Sequence, residues 1–184
     1  FAYLDDPATV VRLLMPRRWS LAFCSVEMLG AYRQAAGERW VRSGIWDRID
    51  GAPLFTGDRP GQAVEGSAIW HAPGAKRWNG GGKRGIWRHG VVRGDERVHE
   101  TQKPLGLMRE LILDFTDVGD LIVDSFAGSG TTGVAAIECG RRAVLIEINE
   151  ARCEIAAKRL GAASLDERIA QVPGQRGKQG ALAW

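Results

Sequence analysis

Two carboxylates and three glycines are the residues of this chain whose types and spacing could do chemistry. Asp124 closes an apolar run at 121–123 and is followed by Ser125, Phe126, Ala127, Gly128, Ser129, Gly130, Thr131, Thr132 and Gly133. Gly128, Gly130 and Gly133 have the G-x-G-x-x-G spacing, which lets a chain turn sharply from strand into helix and lets a ligand lie against bare backbone at the helix start. Twenty-three residues beyond Asp124, at the end of the next apolar run, stands Glu147. An acid there accepts hydrogen bonds from both hydroxyls of a ribose. The glycine spacing alone is weak, but strand context on both sides and an acid at this distance point to an adenosine-containing cofactor.

Chain order and charge separate the candidates. A dinucleotide-binding domain usually opens with such a loop, yet only 51 residues follow Gly133, too few for the remaining strands. The rest of the sheet must come from upstream. Asp124, a carboxylate beside the turn, repels a pyrophosphate and suits a cation. S-adenosylmethionine carries an ammonium and a sulfonium and no phosphate, so charge favours it. An NAD(P)-dependent oxidoreductase of permuted order is the alternative.

The elements that must hold these residues can be read from periodicity. Residues 8–17 read as a short amphipathic helix, 19–25 (WSLAFCS) as a buried strand, 28–36 as a helix stopped by Gly37, and 41–46 as a second strand. From 50 to 98 periodicity collapses into Gly, Pro, Trp and basic residues, which predicts a loop-rich inserted lobe, with a strand inside it at 67–71 (SAIWH). Order returns with a helix at 104–115, a strand at 121–123, a helix at 131–139, a strand at 143–148 and a helix at 150–160. That βαβα series predicts parallel strands with helices packed on them. After Leu160 the composition thins to a polar tail expected to fray.

Composition excludes several classes. A chain of 184 residues with 45% hydrophobic and 26% charged residues is neither collagen, coiled coil nor wholly disordered, and holds one domain plus a modest insertion. No run approaches the ~18 to 20 apolar residues of a membrane helix, and no signal-like pattern opens the chain, so a cytoplasmic protein without membrane contact is expected. Cys24, Cys139 and Cys153 form no CxxC pair and read as small buried thiols rather than a disulfide or metal set. Trp19, Phe23 and Trp46 sit in apolar strands and read as core. The charge is asymmetric. Lys76, Arg77, Lys83, Arg84, Arg88, Arg93 and Arg97 face only Asp95 and Glu96 in their segment, a local net of +5, whereas 104–160 carries a net of −3. Such asymmetry fits a protein that meets a polyanion with one part, and the mixture of Gly, cations and indoles in WNGGGKRGIW (78–87) suits a nucleic-acid backbone and its bases.

DSFAGSGTTGVAA (124–136), preceded by HETQKPLGLM (99–108) and followed by LIEI (145–148), resembles the amino-methyltransferases that modify adenine N6 or cytosine N4 in DNA. The order is similar to that of the permuted β group of that family: catalytic half, target-recognition segment, cofactor half. FTGDRPGQAVEG (55–66) and KRWNGGGKRGIW (76–87) further resemble a phage or prophage branch. The resemblance covers residues 19–160. It implies an α/β fold, a Rossmann-like S-adenosylmethionine-dependent methyltransferase sheet in permuted order with a loop-rich inserted target-recognition segment. On that reading 1–49 is part of the catalytic half, 50–98 the insertion, 99–160 the cofactor-binding half and 161–184 a tail. Asp124, Phe126, Ala127, Gly128 and Gly130 then surround the methionine part of S-adenosylmethionine, Thr131 and Thr132 open the helix, and Glu147 binds the ribose. Thr101, Gln102 and Lys103, from the segment beginning at His99, line the other side. Arg59, Lys76, Arg77, Trp78, Lys83, Arg84 and Arg88 are the candidates for contact with double-stranded DNA. The implied activity is methyl transfer to the amino group of a flipped-out adenine, or of cytosine as second expectation, in DNA methylation and restriction-modification. A homodimer is compatible with the sequence.

One departure stands out. Members of the family carry a D/N/S-Pro-Pro-aromatic motif that orients the target amino group, and this sequence has no match to it. Asp5, Asp6 and Pro7 are the nearest text, but the second proline and the aromatic are missing and a helix follows. The motif is expected upstream of Phe1; a DNA-binding relic without catalysis is the other reading.

Overall fold

Trp19–Cys24, alternating aromatic and small side chains, forms strand β1, and it is not alone in its half of the chain. The computed structural model describes residues 6–14, 16–51, 55–98 and 101–170. They fall into two units, one of Phe1–Val92 with Leu113–Thr116 and one of Arg93–Ile112 with Asp117–Trp184.

In the first unit the helices are α1 (Pro7–Leu13) and α2 (Leu29–Ala36), and the strands after β1 are β2 (Trp40–Asp47), β3 (Val64–His71) and β4 (Ile86–Arg88). Asp6 caps α1, its carboxylate accepting from the Ala8 and Thr9 amides at 3.0 and 3.2 Å. That fixes Asp6 as a helix cap. Asp5, the other acid of that text, lies outside the described residues.

The sheet order is β1-β3-β2-β4, with β3 antiparallel to both neighbours and β4 parallel to β2. The strand expected at 67–71 is present and longer: β3 spans eight residues from Val64 and lies inside the sheet, linking β1 to β2, so the 50–98 segment is not a lobe apart from that sheet. Ala68 and Trp70 of β3 pack with Val10, Val11, Tyr32 and Ala36 as one core. By alternation Ser67, Ile69 and His71 project to the opposite face. There the Trp87 indole lies directly on Gly44, where an added Cβ would stand 2.6 Å from its ring. Trp46 is buried with its ring against Phe23, as a core role requires, whereas Trp19 and Phe23 are only partly buried, Trp19 packing edge-on to His71 and Phe115.

The second unit contains most of α3 (Leu105–Phe115), then β5 (Leu121–Asp124), α4 (Thr131–Glu138), β6 (Arg142–Leu145) and α5 (Glu150–Ala170). β5 and β6 pair in parallel, Val123 beside Val144 and Asp124 beside Leu145. Ile112 with Ala135 and Ala136 of α4 makes the core, and Ile122 and Ala143 pack against it from the sheet. Across the sheet Leu121, Val123, Val144 and Ile146 are 46 to 55% exposed, an apolar strip open to solvent. α5 continues ten residues past the point where the sequence predicts a fraying tail, since 161–170 holds no proline and keeps helix formers in sequence. Among the described residues no helix is long and apolar enough to cross a membrane. Cys24 and Cys139 are half-buried, while Cys153 is exposed, against the reading of all three as buried thiols.

Candidate functional site

The glycine bend and the two acids come together inside the second unit. β5 delivers Asp124 to the start of the bend, and its carboxylate turns inward, accepting from the Phe126 amide at 2.9 Å and from the Thr132 hydroxyl at 2.5 Å. The bend is pinned to the neighbouring strand's extension by Ala127 N–H donating to the Ile146 carbonyl at 3.1 Å. Just beyond, Glu147 reaches back: one carboxylate oxygen accepts from the Gly128 amide at 2.8 Å, the other from the Asn149 amide at 2.9 Å. Both acids therefore bracket the same bend.

Gly128 and Gly130 have φ of +53° and +79°, in the left-handed region that side chains other than glycine resist. Around Gly128 the space a Cβ would occupy has no atom within 4 Å, so its backbone is open to approach. Around Gly130 the reverse holds: an added Cβ would lie 2.8 Å from the Ala156 Cβ of α5. One glycine presents backbone outward and the other admits a helix.

Burial raises the Glu147 carboxyl's proton affinity, but the Asn149 and Gly128 amides and the nearby Arg152 outweigh it and hold the group below the ordinary glutamate value. It is an ionised acceptor at neutral pH, with lone pairs left beyond its two backbone partners. Phe126, two residues after Asp124, is 46% exposed, and Ala127 is buried. Thr131 and Thr132 are buried, and their hydroxyls serve the bend itself, Thr132 toward Asp124 and Thr131 toward Arg159. Sequence reasoning missed Arg159, whose Nη1 donates to the Ser129 carbonyl at 2.6 Å, the Ser129 hydroxyl at 2.9 Å and the Thr131 hydroxyl at 3.1 Å.

Of the segment expected to line the other side, His99 lies outside the described residues. Gln102 accepts from the Val98 amide at 3.0 Å, and Thr101 and Lys103 precede α3 in the same unit as the bend.

The candidate nucleic-acid residues are in the first unit, and several are engaged with carboxylates. Lys83 pairs with Asp114 at 2.7 Å, Arg88 with Asp47 at 3.1 Å and Arg59 with Asp58 at 2.8 Å. Asp114, buried at the end of α3, also accepts from the Trp87 indole at 2.8 Å. Asn79 donates to the Leu113, Asp114 and Thr116 carbonyls, so the segment predicted to thread loosely is folded onto the end of a helix. Trp78, expected to meet bases, turns inward: its ring packs 4.9 Å from Phe115, lies over Gly80, and its N–H donates to the Gly81 carbonyl. Both indoles of this Gly-rich run, Trp78 and Trp87, pack on Phe115 and donate to oxygens of their own unit. Lys83, Arg84, Ile86 and Arg88 bound a shallow hollow of about 190 Å³, and Lys76, Arg77 and Arg84 are exposed.

The sequence pattern of the DNA methylase family matches residues 39–158. DNA adenine methyltransferase YhdJ of Escherichia coli (strain K12) is 46% identical over 66 residues, 36% of this chain and 22% of that protein. Type II methyltransferase M2.MboI of Moraxella bovis is 46% identical over 68 residues, 35% of this chain and 25% of that protein. These matches span about a quarter of the relatives' own length. The crystal structure of the M1.HpyAVI–SAM complex superposes with a TM-score of 0.71 at 26% identity, over 84% of this chain and 79% of that one. With a pattern that covers more than half of its residues, bend and both acids included, the chain belongs to the DNA methylase family of N6 and N4 amino-methyltransferases.

Proposed function

We propose that this chain is the cofactor-binding and DNA-recognising part of an enzyme that transfers a methyl group from S-adenosylmethionine to the exocyclic amino group of a flipped-out adenine or cytosine in double-stranded DNA. The observation that carries the reading is the Glu147 carboxylate clasping the Gly128 amide at 2.8 Å, which sets an ionised acceptor beside an open glycine backbone. A phosphate is repelled there, whereas ribose hydroxyls find acceptor lone pairs. The residues present therefore fit a phosphate-free nucleoside better than a dinucleotide, and Asp124 adds a second negative charge for a cationic ligand.

When bound, S-adenosylmethionine supplies a methyl already activated by its sulfonium. The chain's own residues do the rest of the work at this end. Glu147, held by the Gly128 amide, orients the nucleoside, Asp124 and Thr132 keep the bend in shape, and half-exposed Phe126 flanks the methionine part. Thr101, Gln102 and Lys103 close the pocket from the α3 side. Transfer to a poorly nucleophilic amino nitrogen rests on positioning and electrostatics, and flipping the base costs a few kcal/mol that backbone contacts offset. Arg84, Lys76 and Arg77 are the phosphate contacts in this reading; Arg59, Lys83 and Arg88 would reach phosphates from their carboxylate pairs. A DNA substrate is consistent with a cytoplasmic protein, and one or two copies on the duplex are told apart by light scattering of the DNA complex.

The test is calorimetric binding of S-adenosylmethionine and of NAD, followed by mass spectrometry of nucleosides from DNA treated with the full-length protein. Saturable S-adenosylmethionine binding and N6-methyladenine or N4-methylcytosine are expected. Binding of NAD alone would overturn the assignment.

A further inference from the structure

Two left-handed glycines flank Ser129, so the bend owes its room to turn to residues that do nothing to fix it. Glycine widens the conformational choice of a chain; something else must narrow it. One face of α5 does so through Ala156, Arg159 and Leu160, spaced three and four apart along the helix. Ala156 closes on Gly130, and a Cβ on Gly133 would lie 2.7 Å from the Leu160 side chain, so α5 is keyed to the bend by close packing. Arg159, half-buried between them, adds polar contacts: its Nη1 reaches the Ser129 carbonyl, the Ser129 hydroxyl and the Thr131 hydroxyl at 2.6, 2.9 and 3.1 Å. All three acceptors are neutral, and no carboxylate pairs with the guanidinium among the described residues. A cation held this way is poorly rewarded as a stabiliser, because its desolvation is not offset by an opposite charge. What it does firmly is hold one peptide plane. With the Ser129 carbonyl bound on the α5 side, the Ser129–Gly130 peptide cannot rotate, and its N–H keeps its 2.8 Å bond to the Ala127 carbonyl.

We infer that Arg159 is a positioning residue for the cofactor: it locks the 128–131 bend in the conformation that leaves the Gly128 amide beside Glu147, so that the nucleoside meets a preorganised site. The inference rests on the proposed function, since it names the residue that shapes the same pocket. Arg159 touches no substrate; it acts through Ser129 and Thr131. Without it the bend samples other arrangements and the ligand must select one, which weakens binding without altering the chemistry that follows.

The experiment measures S-adenosylmethionine affinity by calorimetry, and kcat and KM for cofactor with the full-length protein, for wild type, Arg159→Ala, Arg159→Lys and Leu160→Ala. Leu160→Ala trims packing on the same helix face while leaving the polar contacts. Loss of charge-assisted hydrogen bonds predicts about a tenfold to hundredfold weaker affinity for Arg159→Ala. KM for cofactor is expected to rise in parallel while kcat at saturation stays within about twofold. Millimolar guanidinium, far below denaturing strength, is expected to restore affinity to Arg159→Ala and not to Leu160→Ala. Arg159→Lys, with one point donor in place of a fork, is expected to fall between the two, and it serves if the alanine variant does not fold. Wild-type affinity in both Arg159 variants would overturn the inference, as would an equal loss in Leu160→Ala with no guanidinium rescue, which would reduce Arg159 to packing. If wild type itself binds no S-adenosylmethionine, the proposed function falls instead.

Discussion

Glu147 is the side chain on which the cofactor reading turns, and its environment sets testable numbers. Glu147→Ala is expected to weaken S-adenosylmethionine binding by on the order of 1 to 3 kcal/mol, the cost of leaving ligand hydroxyls and the Gly128 amide without an acceptor. Calorimetry reads it directly, and unchanged affinity would remove the residue from the site. The sign of its pH dependence follows from a carboxyl held below its ordinary value of 4.5. What the ionised form contributes to folding is complete above that value and is lost as pH falls through the lower folded-state value, so an acid titration of unfolding should show loss only below pH 4.5 at this group. The cysteines give a second check at this scale. Burial, with Glu65 nearby, pushes the Cys24 thiol up to about 11, so at pH 8 only roughly one molecule in a thousand carries its thiolate. Iodoacetamide is expected to alkylate exposed Cys153 well before Cys24 in the native protein, as peptide mapping would show. Glu147 was legible in the sequence because a strand-end acid at a set distance from a glycine bend has a mechanism behind it. Arg159 was not, since its acceptors lie 28 to 30 positions away and a helical arginine late in a chain looks like any solvated cation.

At the scale of elements, the close fit of α5 against the bend should make Gly130 intolerant. Gly130→Ala combines a φ of +79° with a Cβ 2.8 Å from Ala156, and a loss of about 2 kcal/mol or more in unfolding free energy is expected from urea titration. Gly128, with the same backbone sign but open space around it, should lose about 1 to 2 kcal/mol from strain alone. The end of α3 provides a contrast between structure and recognition. Asp114→Ala leaves the buried Trp87 N–H unpaired and is expected to lower stability by on the order of 2 kcal/mol, whereas Arg84→Ala should leave stability unchanged and reduce the salt dependence of DNA binding by about one unit of slope. β3 shows how far the first half was legible: 67–71 reads as a strand, but its start at Val64 and its place inside the sheet do not. Val64–His71 contains Glu65, Gly66, Ser67 and Ala68, too small or polar to show an apolar period, yet six of its eight residues are buried because strands flank it on both sides. Position in the sheet, not side-chain character, makes it interior. The βαβα series, in contrast, announced itself, because Leu121–Asp124 and Arg142–Leu145 are short apolar runs joined by a helix of small residues.

For the molecule as a whole, charge and hydrophobicity are segregated by unit. The first holds the candidate DNA-contacting cations and the mixed sheet; the second holds the bend, both acids and a two-stranded parallel sheet. Parallel sheets in general carry helices on both faces, because neither face of a buried parallel strand is polar. Here one face bears α3 and α4, and the other shows Leu121, Val123, Val144 and Ile146 to water. Four branched aliphatics side by side form a poorly wetted stripe from which water is easily displaced. An environment-sensitive dye such as anilinonaphthalene sulfonate should brighten on the native chain, ammonium sulfate should drive its association at concentrations that spare ordinary globular domains, and Val144→Lys should suppress both without moving the unfolding midpoint.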